Sequence, residues 1–395
     1  MTATARRIGT DERRARLARR HHLAPPARAG HVVEVARDLV ALHGTDPASV
    51  FLAAWARMRA PEVAAIELAL YEERALVRML GMRRTMFVVP VELAPVVQAS
   101  CTRAIAVQQR KLLVRLLEQA GVADDPGSWL REVEDATVLA LEARGQAFAA
   151  ELSQDEPRLR EQLLLAEGKR YEAKVNISSR VLFLMAADGR IVRGRPRGSW
   201  ISSQYQWAPT AKWLAGGIAE LPAEAARVEL ARWWLAAYGP GTAADLKWWT
   251  GWTAGEVKRA LAALGPAEVE LDGGTGLVLA DDLDPVTAAE PWVALLPALD
   301  PTVMGWSERA WYLGGHGPAL FDRSGNPGPS VWWNGHIVGG WAQRRDGEIA
   351  FRLLEDVGAE ALAAVEAEAE RLGRWIAPIR VTPRFRTPLE RELGA

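Results

Sequence analysis

Apolar positions recur along this chain at helical spacing in short runs, and most runs stop at a glycine or lead into a basic hairpin. Leading into "RDLVALHGTDPASVFLAAWAR" (residues 37–57), Val32, Val33, Val35, Leu39, Val40 and His43 fall near one face of a helix over about 32–43. Gly44 is the residue type that ends a helix in a left-handed conformation. Asp46-Pro47 reads as an N-cap and first helical residue, starting a helix over about 47–57 through Phe51, Leu52 and Trp55. A helix over about 12–22 precedes these, and Pro61 opens another in "PEVAAIELALYEER". The run "ALVRMLGMRRTMFVVP" then predicts a hairpin whose tip, Gly81 to Thr85, carries Arg83 and Arg84.

The same order of helices and hairpin returns twice. "LREVEDATVLALEARG" stops at Gly145, "PRLREQLLLAEG" is predicted as a helix ending at Gly168, and "SSRVLFLMAADG" as one capped by serine and ended by Gly189. "RIVRGRPRGSWISSQY" follows as a hairpin with Gly194 to Gly198 as its tip. In the third unit Thr242 and Thr253 stand at N-cap positions, and Asp272-Gly273-Gly274 turns a hairpin between alternating strands. Three helices followed by a two-stranded wing is the winged-helix module, a relative of the helix-turn-helix.

The expected fold class is therefore α+β: three tandem winged-helix modules followed by a small C-terminal β-rich domain. The expected boundaries are 10–90 for the first module, 91–126 for a connecting helix, 127–210 for the second module and 222–284 for the third. Residues 286–395 read as an α+β domain. Its meander turns at Asn334-Gly335 and Asp346-Gly347, a helix covers about 358–372, and "APIRVTP" is a last strand.

Composition narrows the function classes. With 49% hydrophobic and 25% charged residues in 395, the chain can bury a large core. One cysteine, Cys101, excludes an internal disulfide and a zinc site built on several thiolates. The arginine-rich N-terminus lacks an apolar segment and does not read as a secretory signal, and no apolar run reaches membrane-spanning length. A cytoplasmic, nucleoid-associated protein is expected.

The formal net charge is −1, but charge is segregated: arginines crowd residues 1–28 and 190–197, and acids gather from Glu355 to Glu370. Phosphate loops, dinucleotide fingerprints and the Gly-x-Ser-x-Gly elbow are absent, so no cofactor is expected. Six histidines without His-Glu-x-x-His spacing give no metal site. The tryptophan pairs Trp233-Trp234, Trp248-Trp249 and Trp332-Trp333 lie in apolar segments and read as core packing.

"LVALHGTDPASVFLAAWAR", "RGRPRGSW" and "LLPALDPTVMGWSERAWYLG" with "GNPGPSVWWNGHIVGGWAQR" resemble the AlkZ/YcaQ family of bacterial DNA glycosylases over nearly the whole chain. The resemblance implies removal of bulky N-alkylated bases, crosslinked ones included, from double-stranded DNA by a monomer. The family's catalytic signature is Gln-apolar-Gln or Gln-apolar-Asp in the turn before a Pro-started helix. This chain departs from it: His43 stands at the first Gln, Gly44 at the apolar residue and Thr45 at the second polar position, with Asp46 one residue on.

The chemistry is compatible with such a change. An N7- or N3-alkylated purine leaves as a neutral base, so the protein need only orient a water and stabilise an oxocarbenium-like sugar. The catalytic candidates are His43 as proton acceptor, Thr45 as water holder and Asp46 as sugar stabiliser. The DNA-binding candidates are Arg193, Arg195 and Arg197 on the second wing, then Arg83 and Arg84 on the first. No lysine occupies the turn, so a Schiff-base step is not expected. Two other classes stay open: a non-catalytic DNA-binding regulator or lesion sensor, and a protein that sequesters a genotoxin between its modules.

Overall fold

A computed structural model describes residues 6–165 and 173–395. Helix α1 (Thr10–Arg20) places Asp11 and Glu12 in its first turn and Arg19 and Arg20 in its last, complementing the helix dipole. Helix α2 (Val32–Asp38) stops five residues short of the expected 43. Val40 turns the chain with φ 66°, and Leu42–His43 becomes a short strand, β1, paired with Val88 and Phe87. Leu39, Val40 and Leu42 are all fully buried, so their apolar run suits a buried strand as well as a helix; the sheet decides. Gly44 is not left-handed, contrary to expectation. Its amide donates to the Met86 carbonyl at 2.7 Å, and a Cβ there would meet Arg78 Nη1 at 2.8 Å.

Helix α3 (Pro47–Trp55) starts at the Asp46 cap as predicted, and all nine of its residues are buried. Helix α4 (Val63–Glu67) widens into a π turn at Leu68–Glu72 before the hairpin β2 (Leu76–Leu80) and β3 (Met86–Pro90). The connection is formed by α5 (Ala94–Val97), a second π turn and α6 (Arg103–Gln119).

Next come α7 (Pro126–Arg144), capped by Asp125, and α8 (Ala149–Asp155). The helix expected in "PRLREQLLLAEG" is instead a 3-10 turn, Pro157–Arg160, and strand β4 (Gln162–Leu165) paired with β5 (Ala173–Asn176). Buried Leu163 beside exposed Leu164 shows the period of two that a strand requires. The end of that expected helix, to Gly168, lies outside the described residues. Helix α9 (Ser178–Ala187) has Ile177, not a serine, at its N-cap. Strands β6 (Ile191–Pro196) and β7 (Tyr205–Pro209) slip in register after Arg193, so residues 197–204 form the tip and Gly194 lies within the strand. The two hairpins and β1 share one sheet, ordered β1-β3-β2-β6-β7.

After α10 (Thr210–Trp213), the third unit follows its prediction closely: α11 (Ala223–Tyr238), α12 (Ala243–Thr250), α13 (Ala254–Leu264) and the hairpin β8 (Ala267–Leu271) with β9 (Gly274–Val278). Thr242 with Asp245 and Thr253 with Glu256 form reciprocal capping boxes.

The C-terminal part is a four-stranded antiparallel sheet: β10 (Val293–Leu296), β11 (Ser330–Trp333), β12 (His336–Gln343) and β13 (Ile349–Leu353). Short α14 (Ala310–Leu313) and α15 (Gly317–Leu320) precede β11, and α16 (Gly358–Ile376) covers the sheet. "APIRVTP" is not a strand. The Gln343 side-chain amide donates to the Ile379 carbonyl and accepts from the Val381 amide, replacing a ladder. Helix α17 (Pro388–Leu393) was not anticipated. Among the described residues no helix is long and apolar enough to cross a membrane.

These parts meet at a fully buried ion pair. Arg57, just past α3, donates to both Asp300 oxygens at 2.9 and 2.6 Å and to Thr302 Oγ1 at 2.8 Å. Asp300→Ala leaves the guanidinium unpaired in the core and is expected to cost about 3–5 kcal/mol in urea unfolding. Arg57→Met with Asp300→Leu should cost less than Asp300→Ala, because no lone charge remains buried.

Candidate active site

The sheet brings the end of β1 to the floor of a cleft of about 90 Å³, room for several waters. The His43 ring lines it and packs edge-on against Phe87 with centroids 5.0 Å apart. His43 is 5% exposed, and its Nδ1 is buried without a hydrogen-bond partner. Burial, reinforced by the nearby Arg83 cation, pushes its pKa down to about 3, so the ring is neutral at physiological pH. Thr45 lines the same cleft and accepts a 3.4 Å hydrogen bond from the Met86 amide through Oγ1.

Asp46 is turned elsewhere. Its Oδ1 accepts from the Ala48 amide at 3.2 Å and its Oδ2 from the Arg384 amide at 2.9 Å. It faces a separate void of about 10 Å³. Burial raises its pKa against the pull of those two amides. Successive side chains of an extended segment point to opposite sides, and the Pro-started helix claims this carboxylate as its cap. His43 and Thr45 are therefore brought together, while the expected placement of Asp46 beside them is not found.

Other walls of the cleft come from distant segments. Tyr238 and Trp249 come from the third unit; Leu299, Pro301, Asn326 and Phe385 come from the C-terminal part. Leu299 holds φ 58° next to the anchored Asp300. Asn326 donates Nδ2–H to Asp322 at 2.9 Å, leaving Oδ1 as its uncommitted acceptor among the described residues. Sequence reasoning missed Asn326; the glycine- and proline-rich "GNPGPS" loop was the only local signal. No carboxylate is among the described residues lining the cleft. A group with metal-ligand spacing, His22, Glu34 and Asp38, lies outside it. There His22 donates to the Ala27 carbonyl and pairs with Asp38, which together outweigh burial and raise its pKa.

The predicted basic residues divide. Arg83 and Arg84 sit at the first hairpin tip with φ 53° and 59°, over the rings of Trp248 and Phe183 at 4.3 and 5.5 Å. Arg193 does not reach a tip. It is a strand residue facing the Met86 sulfur and the Trp207 ring, and burial lowers its pKa to about 10. Arg195 is committed to Glu67 and Glu72 at 2.8 and 2.9 Å. Arg197 begins the true tip, exposed over Phe148 and without a carboxylate partner among the described residues.

A helical body with paired hairpins closes on a cleft that holds a neutral histidine beside the Arg83 cation. Residues 36–375 match the family described as DNA glycosylase AlkZ-like, and the chain belongs to that family. The solved structure of Streptomyces sahachiroi DNA glycosylase AlkZ shares the fold with TM-score 0.72, at 19% sequence identity, covering 96% of this chain and 99% of that one. A search of curated proteins finds no match.

The buried His43 couples stability to pH. Unfolded, the ring takes up a proton below about 6.5; folded, it does so only near 3. Stability present above pH 6.5 is therefore lost as pH falls toward 3. His43→Gln should flatten the pH dependence of urea unfolding over that window, leaving the slope due to the equally buried His21. An unchanged slope would contradict the burial of a neutral ring.

Proposed function

We propose that this protein is a monofunctional DNA glycosylase that hydrolyses the N-glycosidic bond of N-alkylated purines, bulky or crosslinked adducts included, in double-stranded DNA. The observation that carries this is His43: a neutral imidazole with an unpartnered nitrogen, beside Thr45 in a cleft that opens near exposed arginines. The helix–hairpin units over 10–90, 127–210 and 222–284 act as winged-helix modules on the duplex, with 286–395 closing the cleft behind them. The protein works as a monomer.

In this reading the C1′–N bond breaks with its electron pair going to the cationic base, which leaves neutral. Water then adds to the oxocarbenium-like sugar. His43 and Thr45 hold that water, and His43 accepts its proton as the C–O bond forms. A folded pKa near 3 makes His43 a weak base in the free protein, which suits a late proton transfer to an electrophile that scarcely needs an activated nucleophile. Asp46 acts as a positioning residue: it caps α3 and ties the turn to Arg384. Arg83, Arg84 and Arg197 supply phosphate contacts.

The absence of a carboxylate from the described cleft lining favours a second reading, a lesion sensor that binds without cleaving. Single-turnover release of N7-methylguanine and of a bulkier N7 adduct from duplex DNA separates the two. Base release that His43→Ala reduces about 10²-fold, with DNA affinity retained, is expected for the enzyme. Tight, salt-sensitive binding with no release of either base would make it a sensor.

A further inference from the structure

At the mouth of the cleft two cations share one aromatic ring. The guanidinium of Arg83 lies 4.3 Å from the Trp248 centroid and that of Arg309 lies 4.8 Å from it. Arg309 also stacks on Phe321 at 4.9 Å, and its Nε–H donates to the Trp306 carbonyl at 3.1 Å. Its terminal nitrogens, and all the donors of Arg83, have no protein acceptor among the described residues. Neither arginine has a carboxylate within ion-pair distance among the described residues, in contrast with Arg195, Arg110 and Arg158, which each hold two.

The arrangement is held in place. Arg83 is left-handed, and its backbone rests on the turn after α12, where a Cβ on Gly251 would come within 3.5 Å of Arg83 Cα. Arg83 also lines the His43 cleft. Burial first, then the neighbouring Arg309 cation, lowers the Arg83 pKa. Two planar, fork-shaped donors on one indole, with no anion between them, are complementary to a group that offers several acceptor oxygens and a negative charge.

Resting on the proposed DNA substrate, we propose that Arg83 and Arg309, braced by Trp248, clamp one phosphodiester of the damaged strand beside the His43 cleft. Seating that phosphate fixes the adjoining sugar over His43 and Thr45 and relieves the repulsion between the two arginines. Trp248 is the positioning residue of the clamp and does not itself contact the sugar.

The test uses the full chain and a fluorescent duplex with one stable abasic-site analogue, read by anisotropy over a salt series. Arg83→Gln, Arg309→Gln and the double variant are each expected to weaken binding about tenfold, the double little more than either single, because one phosphate is shared. The slope of log affinity against log salt should shrink by about 0.9 in each. Replacing single phosphates by methylphosphonates in the wild-type complex should reveal one position near the analogue with the same tenfold loss. That substitution should add less than twofold to the Arg83→Gln loss.

Trp248→Leu should reproduce the loss with an unchanged melting temperature, and Trp248→Phe should restore part of it. Unchanged affinity in the folded double variant, or additive losses with no methylphosphonate position that depends on Arg83, would overturn the clamp. Base release is assayed separately. Its absence from the wild type would therefore sink the glycosylase reading alone, and a failed clamp with intact release would leave that reading standing.

Discussion

The molecule turns on the buried pair of Arg57 and Asp300. A charge in the core is tolerated when it is paired and hydrogen-bonded, and here both carboxylate oxygens, the Ala53 carbonyl and the Thr302 hydroxyl accept from the two terminal nitrogens of Arg57, while its buried Nε–H has no partner among the described residues. The network continues outward. Thr302 Oγ1 lies 2.8 Å from His21 Nδ1, and His21 Nε2 lies 3.1 Å from the Ala237 carbonyl. With its proton on Nε2, His21 donates to Ala237 and accepts from Thr302. Tyr238, next to Ala237, donates to the Leu39 carbonyl and takes the Trp306 indole N–H on its own carbonyl. First unit, third unit and C-terminal part are thus joined through one set of hydrogen bonds.

That junction sets the shape of the cleft. Leu299 and Pro301 flank Asp300 and form part of the cleft lining, as does Tyr238. Had Asp300 no buried cation to meet, the left-handed Leu299 would have no reason to persist. The cleft is consequently assembled from segments far apart in the chain, with β1 as its floor and the first hairpin tip at its edge. Its electrostatic character follows from who is excluded. Asp46 is turned away by its duties as a cap, so a neutral imidazole, hydroxyls, an amide and the Arg83 cation remain.

The turn from His43 to Asp46 resolves the tension between corner and site by being both. Asp46 and Pro47 make the corner, while His43 and Thr45 face the cleft. Alternation along three extended residues is enough to separate the roles. The basic hairpins show the same division: residues 193, 195 and 197 alternate by spacing, yet Arg193 is packed against Trp207, Arg195 is paired with Glu67 and Glu72, and Arg197 is exposed with no carboxylate partner among the described residues.

Local chemistry was legible wherever an element is stabilised by its own residues. The capped helices of the third unit, its Asp272-Gly273 hairpin, the Asp46-Pro47 start of α3 and the β2–β3 hairpin could all be read from caps, turns and periodicity. So could the family, through motifs that span most of the chain. Segments whose partners lie far along the sequence were not legible. Leu42–His43 became a strand because β3 offered its edge, "QLLL" because β5 did, and "APIRVTP" lost its ladder to the Gln343 side chain. The candidate residue His43 was visible in the sequence; its neutrality, its orphaned nitrogen and the walls around it arise from tertiary burial. Propensity and capping act within a few residues, whereas desolvation and sheet pairing depend on what the fold places opposite.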